Sequence, residues 1–372
     1  MQKSYIWTLP TRVFHTLLAL FVLLAFLTNE GSKLLNYHAI AGYVVGILLV
    51  FRFFWGYIGP KYSKFKDFPL GKKNIKEFIS NIFDQNQKYS GHNPLASYVM
   101  IGMLVSLFLA FVSGILFFGI EDGKGILGFL NSEFFKKMKL FKEIHEIFAN
   151  LFIGFLVLHL IGIFVDKLLH KKDENLNSIF TGYKNREEVE IIKLNIFQKL
   201  FSFLMFLVLL AFLIFNLYQP KNILTSSIYQ PIDFKVENPS FVKECGSCHT
   251  LYPPSLLPAK SWEKMMQNLD NHFGDDASLD EETNKNILAY LVKNSAENST
   301  TKASFKFLNS IKNEDIIAMS QTSFWKKVHN EIPKEVFNNP KIKSKANCKA
   351  CHTDIEKGFI QSENIKDFDD IK

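Results

Sequence analysis

Residues 145–169 read HEIFANLFIGFLVLHLIGIFVDKLL, an apolar stretch bracketed and interrupted by two histidines. A bilayer core of ~30 Å takes about 20 helical residues, so this stretch is long enough to span one. Ionisable side chains inside such a span are costly and mark function by default. His145 and His159 are fourteen residues apart. At ~100° per residue they return to within about 40° of one face, and at ~1.5 Å per residue they lie about 21 Å apart along the axis. One helix face therefore offers an imidazole near each side of the membrane.

Four further apolar runs accompany Ile147–Leu169, at Val13–Thr28, Ala39–Ile58, Ala96–Ile120 and Ile196–Leu217, whereas residues 218–372 are polar and contain none. Five such runs in one chain read as membrane spans rather than buried core helices. The first carries His15 and is followed by no small-residue cleavage site, so it reads as a retained span and not a signal peptide. Lys and Arg set orientation through the short flanks. The N-terminus and the 59–94 and 166–195 loops carry fifteen of them, against six in residues 29–37 and 121–144. The N-terminus is thus expected in the cytoplasm, and an odd number of spans delivers the C-terminus to the opposite side. Much of the net charge of +7 comes from these flanking lysines. They are spread over loops rather than gathered on one soluble face, which argues against nucleic acid as a partner.

All four cysteines sit in two matching runs, Cys245-Gly-Ser-Cys248-His249 and Cys348-Lys-Ala-Cys351-His352. Cys-x-x-Cys-His is the covalent attachment site of a c-type haem, with the histidine on the iron. Disulfide, redox dithiol and zinc readings fit less well, because the motif occurs twice with no spare cysteine. In bacteria this attachment occurs outside the cytoplasm, which agrees with the orientation read from charge.

The spans hold two more histidines. His15 lies near the cytoplasmic end of the first span, level with His159, and His38 opens the second span at the outer side, level with His145. Two bis-histidine b haems stacked across the bilayer account for all four, although a lone histidine in a span can also serve an interhelical hydrogen bond. Gly42 and Gly46 follow His38, and Gly162 follows His159, where bare backbone would admit a flat macrocycle or simple helix packing. Arg52, towards the cytoplasmic end of the second span, is a candidate partner for a haem propionate or an interfacial anchor.

The segments Trp7-x-x-Pro10-x-Arg12-x-x-His15, Phe51-Arg52-x-x-Trp55-Gly56, Gly91-His92-Asn93-Pro94-Leu95, His145-Glu146, Glu174-Asn175-Leu176 and Thr181-Gly182 resemble the bacterial cytochrome b561 and nickel–iron hydrogenase cytochrome b-type family. The resemblance covers roughly residues 5–185. It implies a helical bundle holding two b haems, carried onto His15, His38, His145 and His159, and electron exchange with membrane quinone. His92 falls in a matching segment but gains no role, since Asn93-Pro94 beside it reads as a helix start.

After the last span, residues 219–240 read as a linker with three prolines. The C-terminal region then offers His272 and His329 as candidates opposite His249 and His352. Both intervals, 249–272 and 329–352, are 23 residues, which suggests local pairing and leaves crossed pairing open. Trp262, Met265, Met266, Leu269, His272 and Phe273 fall at helical spacing, as do Trp325, Val328, His329 and Ile332, and each set reads as a haem wall. Methionine ligation by Met265, Met266 or Met319 is the rival, and it would raise the reduction potential. Ser278-x-x-Glu281 reads as a capping box opening a scaffold helix.

Residues 244–293 and 343–358 resemble the dihaem cytochrome c family. The matches are Glu244-Cys-Gly-Ser-Cys-His-x-x-Tyr252-Pro-Pro, Ser261-Trp262, His272-Phe-Gly-Asp-Asp-Ala-Ser-Leu279 and Lys343-Ser-x-Ala-Asn-Cys348-x-Ala-Cys-His. The resemblance implies association with a membrane cytochrome b and a small oxygen-binding haem protein.

The expected fold is all-α. A transmembrane four-helix haem-binding bundle (1–190) is followed by a fifth transmembrane helix (191–218), a linker (219–240) and a small, mostly helical dihaem domain (241–372). Two haem b and two haem c need eight axial ligands. His15, His159, His38, His145, His249, His272, His329 and His352 supply them, leaving His92 and His170. Saturated iron has no open site, so electron transfer is expected rather than chemistry on a bound molecule. The expected route links the quinone pool to a soluble periplasmic cytochrome or oxygen-binding haem protein, from the bacterial inner membrane. A haem-based sensor and an anchor subunit of a larger enzyme such as a hydrogenase are the other classes considered.

Overall fold

The structure, a computed structural model, describes residues 2–29, 32–81, 89, 91–138, 140–169, 175–186, 189–311 and 316–366. His170 lies outside the described residues. Among the described residues, five helices are long and apolar enough to cross a membrane: α1 (Leu9–Leu27), α2 (Leu35–Ile58), α4 (Pro94–Asp122), α6 (Leu140–Leu169) and α8 (Ile196–Tyr218). Short helices α3 (Lys72–Ser80), α5 (Glu133–Met138) and α7 (Asn175–Thr181) lie in the connections.

The chain divides into two compact units, the first comprising Met1–Ile120, Lys124–Leu127 and Lys137–Ser226. Within it α2 is the central helix. One of its faces packs Val44, Leu48, Phe51 and Trp55 with Phe14 of α1 and Leu209 of α8. Another packs Val45 and Leu49 with Leu107 of α4 and Phe152 of α6. The outward faces keep large apolar side chains exposed, among them Leu23, Phe26, Leu158, Ile161 and Phe164. On a water-soluble protein this would be an interaction patch; on spanning helices it is the lipid face.

α8 starts where it does because Asn195 and Gln198 form a reciprocal capping box. Asn195 Oδ1 accepts from the Gln198 N–H at 2.8 Å, and Gln198 Oε1 accepts from the Asn195 N–H at 3.1 Å. The Gln198 amide also donates to the Ile58 carbonyl at 2.8 Å, tying α8 to the end of α2. One element was not legible in the helical pattern. β1 (Gln2–Tyr5) pairs antiparallel with β2 (Tyr183–Arg186), with Tyr5 opposite Tyr183. Gly182 enters this ribbon at φ 88°, where a Cβ would also press on the Tyr5 ring.

The second unit comprises Glu121–Gly123, Gly128–Lys136 and Ser227–Lys372. Its helices are short: α9 (Phe234–Glu237), α10 (Pro239–Cys245), α11 (Ala259–Gln267), α12 (Glu281–Lys293), α13 (Lys302–Ser310), α14 (Ser323–Val328) and α15 (Lys334–Phe337). Phe234, Phe241, Leu251, Leu257, Trp262, Met266, Ile287 and Leu291 form its main core. A smaller one joins Leu256, Phe307 and Ile355.

Three local expectations come out differently. α12 is capped by Asp280, whose carboxylate accepts from the Thr283 N–H at 2.9 Å, not by Ser278. The stripe from Trp262 to Phe273 is no continuous helix: α11 ends at Gln267, and His272 follows a single 3-10 turn. Within residues 219–240, Phe234 is buried and the Ile232 N–H donates to the Lys357 carbonyl at 3.1 Å.

Candidate functional site

The candidate ligands on the spanning helices fall in two layers. In one, the His38 and His145 rings are 6.2 Å apart between centroids and mutually perpendicular. His38 Nδ1 bonds to the Ala25 carbonyl at 2.8 Å, joining α2 to the end of α1, and His145 Nδ1 bonds to the Ala110 carbonyl of α4 at 2.9 Å. With Nδ1 carrying the proton to a carbonyl, Nε2 keeps a lone pair, the tautomer a metal ligand requires. Gly114 makes room for this imidazole, since a Cβ there would meet His145 Cε1 at 3.0 Å and Nδ1 at 3.1 Å. Nothing in the sequence marks Gly114, the glycine in the C-terminal half of α4 where a Cβ would meet a ligand candidate. Gly114→Val should push His145 off its carbonyl and shift or remove the absorption of one b haem, while both c haems stay unchanged. Redox difference spectra of membranes check this.

The other candidate layer is His15 of α1 and His159 of α6. Thr11, one turn before His15, accepts from Trp55 Nε1 at 3.0 Å and lies 3.1 Å from Ser63 Oγ, pinning the start of α1 to the end of α2. Arg52 donates to the Ser63 carbonyl at 3.1 Å and lies 4.6 Å above the Phe65 ring. It is thus clamped at this level. His92 packs its ring between Trp7 and Phe68, at 4.8 and 5.2 Å. Burial lowers its pKa to about 3, aided by the charges of Lys184, Arg52 and His159, so it is neutral at working pH.

The glycines divide. A Cβ on Gly42 or Gly162 meets nothing within 4 Å, whereas one on Gly46 would strike the Phe111 ring at 2.3 Å. Gly46 therefore serves the contact between α2 and α4. Gly42 and Gly162 leave open backbone one turn beyond His38 and His159.

In the second unit, α10 runs into Cys245, and the following turn sets His249 beside His272, ring centroids 6.2 Å apart. His249 Nδ1 bonds to the Thr250 carbonyl at 2.8 Å. His272 is fixed by backbone bonds to Asp275 in both directions, at 2.7 and 3.2 Å. The other pair is His329 and His352, 6.1 Å apart. His329 ends α14, with Nδ1 bonded to the Trp325 carbonyl at 2.9 Å and its ring stacked on the Trp325 indole at 4.4 Å. Burial lowers the pKa of His272, His329 and His352, which favours the neutral form that a ligand must take. Met266, by contrast, is buried in the main core.

The four cysteines are unpaired. Burial, with help from Glu244, pushes the Cys245 thiol up to about 11. The two motifs are knitted together. The Tyr252 ring lies 5.0 Å from the His249 ring, its hydroxyl donates to the Ala346 carbonyl at 2.6 Å, and Tyr252 Oη stands 4.0 Å from Cys348 Sγ. The Lys349 N–H donates to Thr250 Oγ1 at 3.3 Å.

These spacings fit a metal held between two imidazoles. Two nitrogens each ~2.0–2.1 Å from one ion, with ring centroids about 1.1 Å behind them, put the centroids about 6.3 Å apart. The three measured pairs lie at 6.1–6.2 Å.

The features together define a membrane-spanning haem protein that transfers electrons. Residues 6–182 match the family described as prokaryotic cytochrome b561, and residues 241–360 the family described as dihaem cytochrome c. The first match lies in the membrane part and the second in the C-terminal part. The two matched families imply haem b and haem c. Among solved structures it is similar to a dihaem cytochrome c from Rhodobacter sphaeroides, 38% identical over 33% of this chain and 97% of that one, with a TM-score of 0.30. A dihaem cytochrome c from Shewanella baltica is 34% identical over 35% of this chain and 92% of that one, with a TM-score of 0.29. No curated protein matches the chain.

Proposed function

We propose that this protein carries electrons between membrane quinone and a soluble periplasmic redox partner, a cytochrome or an oxygen-binding haem protein, through two b haems and two c haems. The observation that carries this reading is the set of three histidine pairs at 6.1–6.2 Å, the separation two imidazoles take on a shared ion. His38 with His145 and His15 with His159 would hold the b haems. His249 with His272 and His329 with His352 would hold the c haems, attached through Cys245 and Cys248 and through Cys348 and Cys351. Arg52 stands as the propionate partner on the His15 and His159 side.

Haem supplies one-electron exchange at an iron whose axial ligands and surroundings set its potential. The chain's residues do the rest. The carbonyls of Ala25, Ala110, Thr250 and Trp325 hold four imidazoles by Nδ1, which would leave Nε2 of each as the nitrogen free to bind iron. Two imidazoles per iron leave no position for a substrate, so the protein relays electrons and transforms no bound molecule.

The excess of Lys and Arg on one set of loops supports placement in the bacterial inner membrane with the N-terminus cytoplasmic. The c-type part then lies in the periplasm, where its haem attachment takes place.

Acid-acetone extraction followed by a pyridine haemochrome assay should find two covalent and two extractable haems per chain. Recovery of covalent haem alone would reject the membrane half of this reading. The dithionite-reduced protein should show no spectral shift with carbon monoxide. A shift at one haem equivalent would mean an open iron and a ligand-binding role.

A further inference from the structure

The two haem-attachment runs share Cys-x-x-Cys-His-Thr and then diverge at the residue after the threonine. His249-Thr250-Leu251 follows the first pair of cysteines and His352-Thr353-Asp354 the second. Leu251 is buried in the main core and offers no acceptor. Asp354 is 6% exposed. Its Oδ2 accepts from the Gln361 N–H at 3.0 Å and from the Asn364 amide at 2.9 Å. Its Oδ1 is buried with no hydrogen-bond partner. Two residues away, His352 Nδ1 is also buried with no partner, whereas His249 Nδ1 is satisfied by the Thr250 carbonyl. A buried ring nitrogen and a buried carboxylate oxygen are thus both left open two residues apart, on a segment whose anchors are already made. The carboxylate's charge also reaches the His352 imidazole.

We infer that Asp354 is the carboxylate partner of His352, accepting from Nδ1–H and strengthening this imidazole's donation to iron at the second c-haem site. The inference rests on the proposed reading of His352 as an axial ligand. A carboxylate gives the imidazole more anionic character than a carbonyl does, and this favours the oxidised iron. The site of Cys348 and Cys351 is therefore the lower-potential of the two, and electrons run from it to the site of His249. Each transfer moves one electron from the ferrous iron of one site to the ferric iron of the other. The shared proton stays on His352.

Spectroelectrochemical titration of the full-length protein tests this. Asp354→Asn keeps an acceptor for Gln361 and Asn364 but removes the charge. It should raise one c-haem potential so that its reduction equilibrium shifts ~10-fold, equivalent to about 59 mV for a one-electron couple. The other c haem should stay unchanged. Asn364→Ala removes a loop anchor without touching the charge and should leave both potentials in place. Equal shifts in the two variants would make Asp354 a structural residue of the loop and overturn the inference, as would unchanged potentials in Asp354→Asn. In the unmodified protein the His352 Nδ1–H resonance should resist exchange in heavy water; rapid exchange would also reject the bond. The haem-bearing peptide that contains Cys348 and Cys351, identified by mass, checks the attachment itself independently of these outcomes.

Discussion

His159→Ala abolishes quinol-driven reduction of the c haems while leaving both covalently attached. The expectation follows from where the candidate ligands lie along α6. Fourteen residues at ~1.5 Å separate His145 from His159 by about 21 Å, much of a ~30 Å hydrocarbon core. Two b haems at such depths would be superfluous if quinol were oxidised only beside the c-type part. The quinone site is therefore expected near the His15 and His159 layer, with electrons crossing outward. The clamped cation Arg52 and the neutral, aromatic-flanked His92 belong to that layer. Adding a quinol analogue to mutant membranes and following the c-haem α-band gives the readout. Unimpaired c-haem reduction would place quinol oxidation on the other side and reject the transmembrane route.

The second large effect is an equivalence. His38→Ala and His145→Ala should each remove the same half of the extractable haem, with the same missing component in the difference spectrum. Their rings are 6.2 Å apart although they sit on different helices, and each is held by its own carbonyl. If the pair holds a b haem as proposed, losing either imidazole would leave its iron with one ligand. His15→Ala and His159→Ala should share the other component. If His15→Ala removed the component lost in His145→Ala, the layers would be wrongly assigned.

Much of the architecture was legible because the signals were large. A span of twenty apolar residues and a Cys-x-x-Cys-His run each answer to a single physical demand, and neither depends on distant parts of the chain. Helical geometry alone set His145 and His159 on one face. What could not be read depends on contacts made across the fold. Nothing about Ala25 or Ala110 marks their carbonyls as acceptors, because every residue has one. The ribbon of Gln2–Tyr5 with Tyr183–Arg186 is a pairing of four residues across most of the membrane part. Helical spacing over-extended α11 to His272, since the period continues through residues that the backbone has already turned away. Ser278 looked like a cap at the right distance, yet Asp280 stands closer to the helix and takes the N–H.

The second unit draws on residues 121–123 and 128–136 as well as on residues 227–372. Asp122, at the end of α4, pairs with Lys302 at 2.7 Å. The Tyr229 hydroxyl bonds to Asn131 Oδ1 at 2.8 Å and also to the Thr300 carbonyl. A gene fragment beginning at residue 227 would therefore not encode this module whole. It would strip Lys302 of its counter-ion and uncover a half-buried phenol, so a water-soluble version for crystallography or electrochemistry needs the loop after α4 spliced onto it. The same discontinuity means that a length change in that loop, though it falls between two spanning helices in the sequence, alters the haem-bearing part.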